Sequence, residues 1–155
     1  MFSEKNIIKA LKTGTVVIMS ILYVGIGFKH FTDPEFFLKI MPPFFKSFDL
    51  ELVYLSGFFE ILFGFLLLFQ KYRKIAGIGL ILLLIAVFPA NIYLYQNPEI
   101  LNTEESKVLI RLFFQIPLVT IALWHSQKNT SRLFSVFCIM IFIPTIIYFL
   151  TLSIN

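Results

Sequence analysis

The chain has 155 residues, of which 58% are hydrophobic and only 14% charged, with twenty phenylalanines against seven glycines. Soluble domains usually carry about 25% charged residues, so a soluble domain is excluded, and the length allows one domain. The net charge of +4 does not point to nucleic acid, because the cations alternate with acidic connections between apolar runs. Cys138 is the single cysteine, which excludes a CxxC redox pair, an intrachain disulfide and a thiolate cluster; it reads as a small apolar filler.

Five apolar stretches approach the roughly 17 to 25 residues that cross a bilayer as helix. They lie near 13–28, 52–69, 75–95, 108–126 and 133–152, which predicts an all-α, polytopic membrane helix bundle. The first does not read as a cleaved signal peptide, since Gly25-Ile26-Gly27-Phe28-Lys29-His30 lacks a convincing small-x-small site and leads on to another span. Lys5, Lys9 and Lys12 precede span one, Lys71, Arg73 and Lys74 fill the second connection, and Lys128 and Arg132 fill the fourth. Asp33, Glu35, Asp49 and Glu51 mark the first connection, and Glu99, Glu104 and Glu105 the third. The positive-inside rule then expects the N-terminus in the cytoplasm and the C-terminus outside.

In the first connection Asp33 can cap a helix with Pro34 at its first position, and Pro42-Pro43 ends it after about two turns. Its phenylalanines place it in the outer interface, either over the mouth of the bundle or as an anchor without a gating role. In the third connection Asn102 or Thr103 can cap span four, with Glu104 and Glu105 in its first turn where acids suit the helix dipole. No internal repeat is visible, so an inverted-repeat transport architecture has no support.

Glu60 is the only carboxylate inside a long apolar run. An acid at mid-membrane costs about 2.5 to 3.5 kcal/mol on insertion scales, so its retention points to use. At about 1.5 Å per residue it lies roughly 13 Å below Glu51. Arg111 falls about one turn below the outer surface, with Gln115 a turn deeper on the same face. His30 and Asn91 reach the same outer third from spans one and three, so the four gather above Glu60. Ser56, Glu60 and Gly64 recur every four residues with Gly57 beside them, a small and polar stripe that faces other helices. Pro89 removes a helix hydrogen bond and is expected to break span three, freeing a carbonyl that shapes the pocket.

Glu60 with Arg111 reads as a structural ion pair or as a ligand or proton site, unless Arg111 snorkels to the outer headgroups; Asn91 and Gln115 read as helix glue or ligand contacts, and His30 as a site or an interfacial residue. His125, beside Trp124 at the inner end of span four, reads as an interface residue. The two histidines sit at opposite faces and cannot share a metal or haem, so no metal site is expected. No Ser-His-acid set or phosphate loop appears, and catalytic residues stay unassigned.

Gly27-Phe28-Lys29-His30-Phe31, Asp33-Pro34, Lys39-Ile40-Met41-Pro42-Pro43, Ser56-Gly57-Phe58-Phe59-Glu60-Ile61-Leu62-Phe63-Gly64, Ala86-Val87-Phe88-Pro89-Ala90-Asn91-Ile92-Tyr93 and Arg111-Leu112-Phe113-Phe114-Gln115 occur in this order. Together they resemble the DoxX-like family of small bacterial membrane proteins over about residues 13–126. That resemblance implies a four-helix core in the bacterial cytoplasmic membrane, attached to quinone-linked or oxidative-stress redox systems, and does not imply an independent enzyme; the alternatives are a non-catalytic binding or transport protein for a small lipid-like molecule and a purely structural membrane subunit. It carries over His30, Glu60, Pro89, Asn91, Arg111 and Gln115 and allows quinone as a cofactor and redox-complex subunits as partners; the lipid bilayer and a second copy of the chain are further expected partners. The chain departs from the family in a fifth span after Arg132, with Pro144 inside it and no charged residue, expected on the outside of the bundle.

Overall fold

The computed structural model describes residues 3–102 and 104–154. Six α-helices follow in order: α1 (Glu4–Thr32), α2 (Pro34–Lys39), α3 (Asp49–Leu67), α4 (Arg73–Gln96), α5 (Glu105–Ser126) and α6 (Arg132–Ile154). All except α2 contain a stretch long and apolar enough to cross a membrane. The protein is an all-α, multi-pass membrane bundle.

The helices are longer than their apolar stretches. No proline interrupts residues 4–32, so α1 starts well before residue 13 and Lys5, Lys9 and Lys12 lie on it rather than ahead of it. Its 29 residues make about 43 Å of helix, against a hydrocarbon core of about 30 Å. Prolines inside the later spans do not end them either: α4 continues through Pro89, α5 through Pro117 and α6 through Pro144. Neighbouring helices make such prolines tolerable in lipid.

Small residues set the tightest contacts. A Cβ on Gly57 would lie 2.5 Å from the His30 Cβ and 2.9 Å from the Gly27 carbonyl, and Ser20 Oγ donates to the Gly64 carbonyl at 2.7 Å. α1 and α3 therefore meet almost backbone to backbone, as small residues permit in membranes. α4 approaches α5 in the same way, where a Cβ on Gly77 would strike Ser126 and the Ala122 carbonyl, and the Phe63 ring of α3 lies against Gly79 of α4. Val16, Met19, Leu67, Leu80, Ile121 and Phe142 fill the space between.

α6 lies on α5 and α1. Leu133, Met140, Ile143 and Ile147 do point outward, as expected of an outer helix, but Phe142 enters the core and Cys138 and Thr145 are fully buried. Cys138 is the filler its composition suggested.

The connections differ from expectation in detail. Asp33 precedes α2 but its side chain makes no capping bond, while the six residues of α2 match the expected helix of about two turns and are followed by a 3₁₀ turn at Pro43–Phe45. Between them Ile40 crosses the bundle end to pack on Leu94 and Val108. Asn102 does not cap α5: it closes a 3₁₀ turn at Pro98–Leu101 in the left-handed region, φ 48°, which asparagine tolerates better than most residues. Glu104 occupies the N-cap position instead, and Thr103 lies outside the described residues.

The end of the bundle opposite His30 is tied by polar bonds. Lys12 Nζ donates to the Gln127 carbonyl at 2.7 Å and stands over the Trp124 ring, and Trp124 Nε1 donates to Ser135 Oγ at 3.3 Å. Arg73 Nε donates to the Leu67 carbonyl at 2.9 Å, satisfying the end of α3. His125 is buried within this end of the bundle rather than exposed on it. It is 1% exposed, with Nε2 3.0 Å from Thr15 Oγ1, because α1 supplies the partner that makes its burial affordable.

Candidate functional site

One face of α1 carries Tyr23, Gly27 and His30 at spacings of four and three, so all three point toward α3. Gly57 leaves the room that the imidazole occupies. His30 Nδ1 lies 2.9 Å from the Val53 carbonyl, which can only accept, so Nδ1 carries a proton and donates. Phe37 of α2 stacks on the other side of the ring, centroids 3.6 Å apart. Orientation of the histidine is thus set by two elements besides its own helix.

His30 Nε2 then faces Glu60 Oε2 at 3.3 Å. A neutral imidazole protonated at Nδ1 has a lone pair at Nε2, and an ionised carboxylate has no proton, so the two atoms attract only if one proton is shared between them. It resides on the imidazolium or on the carboxylic acid. The contact lacks hydrogen-bond geometry, which leaves Oε2 buried without a hydrogen-bond partner.

Arg111 does not pair with Glu60. Among the described residues no carboxylate lies within ion-pair reach of its guanidinium. The close approach of α1 and α3 brings His30 to Glu60 first, while α5 packs on α4 on the other side of a cavity.

That cavity, about 170 Å³, is where the polar residues converge. His30, Glu60, Asn91, Arg111 and Gln115 all line it, from four helices, as the depth argument expected. Asn91 and Gln115 are each 8% exposed. Phe37, Ile40 and Met41 also line it, as does Phe149 of α6. Pro89 does not line it, and no break in α4 shapes it. The carbonyl freed by Pro89 belongs to Ile85, whose side chain stands 61% exposed on the lipid-facing flank.

Sequence reasoning missed Tyr23. It is 6% exposed, lines the cavity, and has a buried hydroxyl without a partner. The available signal was its position two turns before His30 on the same helical face. His125 plays no part: its partner Thr15 lies about 22 Å from His30 along α1.

Fold and site together define a membrane helix bundle with a small polar cavity near one end. The family profile described as a domain of unknown function, DUF8561, matches residues 19–126, which span α1 from Met19 through the end of α5. The chain belongs to that family. No curated protein and no solved structure matches it.

Proposed function

We propose that this protein binds a small amphipathic ligand of the quinone class in the polar cavity, as an accessory or subunit of a quinone-linked or oxidative-stress redox system in a bacterial cytoplasmic membrane. The observation that carries this reading is a pair of buried polar atoms without hydrogen-bond partners in the same space, Tyr23 Oη and Glu60 Oε2, the latter with only its 3.3 Å ion contact to His30. Buried polar atoms are almost always satisfied in folded proteins, and two orphans in one cavity point to a missing partner. The neighbouring groups suit a ring bearing oxygen. Arg111 and the Gln115 amide can donate to a carbonyl, and the His30–Glu60 pair holds one proton that can follow a change in ligand charge. The ordered motifs of the DoxX-like resemblance support the same setting.

The cationic connections at Lys71, Arg73, Lys74, Lys128 and Arg132 support an orientation with the cavity near the outer face, the N-terminus inside and the C-terminus outside. Native-lipid extraction of the purified chain, followed by mass spectrometry, is expected to recover a quinone or related amphiphile. Glu60→Gln is expected to weaken quinone binding at least tenfold and to lower quinone-dependent redox activity of the membranes. A chain that neither retains nor binds quinone, with a Glu60→Gln form that leaves that activity unchanged, would overturn the proposal.

A second reading has its own observation. The His30–Glu60 contact joins α1 to α3 where Gly27 and Gly57 meet, so the polar set also serves as a helix tie. A stability phenotype for Glu60→Gln without any binding phenotype would favour it.

A further inference from the structure

The cavity is too small for a whole amphiphile. Its volume of about 170 Å³ is close to the roughly 150 Å³ that holds one benzene ring, and well under the roughly 300 to 1,000 Å³ of ordinary ligand pockets. A ring with a few substituents fits; a hydrocarbon chain does not. Any tail must leave the cavity.

Two apolar grooves border it. One, about 470 Å³, lies between α3 and α4 and shares Met41, Ser56, Val87 and Ala90 with the cavity. The other, about 500 Å³, lies between α4 and α5 and shares only Leu84 and Gln115. In the first groove Phe59 and Phe63 stack with centroids 5.4 Å apart, and Gly79 leaves space for the Phe63 ring, giving a flat aromatic wall. Leu82 and Ala86 stand exposed at its outer edge. Ser56 is the sole polar side chain lining it and stands at the junction, one helical turn from Glu60.

We infer that the groove between α3 and α4 holds the hydrocarbon tail of a ligand whose oxygen-bearing head lies in the polar cavity, so that the ligand reaches the site sideways from the bilayer. The inference rests on the quinone-class reading of the cavity. Head and tail then meet at Ser56, Met41, Val87 and Ala90, the residues the two spaces share.

The test uses the full chain in lipid nanodiscs and two probes, a dimethoxy-methyl-benzoquinone without a tail and the same ring with a decyl chain, with affinities referred to concentration in the lipid phase. The decyl probe is expected to bind at least tenfold tighter. Ala86→Trp, which fills the α3–α4 groove, is expected to remove that gain while keeping the tailless affinity. Ile116→Trp, which fills the α4–α5 groove, is expected to leave it intact. Loss of the gain in Ile116→Trp but not in Ala86→Trp would overturn the inference, as would no gain from the tail or a gain that both variants keep. Failure of both probes to bind the unaltered chain would overturn the cavity reading and this inference with it. Should Ala86→Trp fail to fold, a decyl probe with a terminal diazirine decides on the unaltered chain: labelling of α3 and of Leu82 or Leu83 supports the groove, and labelling confined to α5 overturns it.

Discussion

The shared proton of His30 and Glu60 follows from one backbone bond. Because Nδ1 donates to the Val53 carbonyl, a favourable contact between Nε2 and the carboxyl requires one proton between them, and the pair is then neutral overall in either arrangement. Removing one partner leaves a buried polar group alone. His30→Leu or Glu60→Leu singly is therefore expected to cost about 3 to 5 kcal/mol, while the double replacement comes close to neutral. A double-mutant cycle on unfolding in detergent checks this, and additive single costs would show that the contact carries no coupling. The glycine beneath the ring makes a separate prediction. A methyl at Gly57 meets the His30 Cβ and the Gly27 carbonyl, neither of which can swing away, so Gly57→Ala is expected to destabilise by about 1 to 3 kcal/mol. Gly14 has nothing within 4 Å of an added Cβ, and Gly14→Ala is expected to stabilise by up to about 1 kcal/mol through helix propensity. Thermal unfolding of the two variants side by side distinguishes a packing requirement from a general tolerance of alanine.

At the scale of elements, α2 and the turn after it contribute to the cavity wall, and they are expected to act as a cover rather than a peripheral anchor. Phe37 stacks on His30 of α1, and Ile40 is held by Leu94 of α4 and Val108 of α5, so three helices are bridged over the cavity. Opening this cover should expose the cavity to water. In a Cys138→Ala background, Ser56→Cys is expected to react slowly with a water-soluble maleimide, and adding Phe37→Ala and Ile40→Ala should raise the rate about tenfold; equal rates would show that the segment covers nothing. The spans and the convergence of His30, Glu60, Asn91, Arg111 and Gln115 were legible because apolar run length and helical rise are local quantities. Partner choice was not. Whether Glu60 meets Arg111 or His30 depends on how closely α1 and α3 approach, and Gly27 and Gly57 reveal that only once their register is known. Pro89 misled for a related reason: loss of one helix hydrogen bond predicts a break in isolation, but the packed helix continues through it. Tyr23 and the aim of Ile40 across the bundle end were hidden because an apolar chain offers many aromatic and aliphatic residues with no local mark of which face a cavity.

For the whole molecule, the parity of the spans decides the topology. If all five long apolar helices cross, the two ends of the chain lie on opposite sides of the membrane, and α6 is the element on which this depends, since it lies beyond the segment shared with the family. Its packing argues that it crosses with the rest. Ser135 accepts the Trp124 indole proton at one end, Phe142 enters the core midway, and Phe149 lines the cavity at the other end, so α6 follows the bundle through its full depth. A helix lying along the surface could not make all three contacts. Reporter fusions after Asn155 and before Met1 are therefore expected to read opposite compartments, and the proposed orientation expects the N-terminal fusion to be cytoplasmic. Fusions reading the same side would remove α6 from the bundle. Truncation after Asn129 supplies the energetic counterpart: it strips a wall from the cavity and uncovers Trp124 and the core around Leu118 and Ile121, so it is expected to lower the unfolding temperature sharply, whereas Leu133→Ala, Met140→Ala and Ile143→Ala, on the outward face of α6, should each change stability by about 0.5 kcal/mol or less. The contrast matters because a helix that only decorated the bundle would give small effects in both experiments.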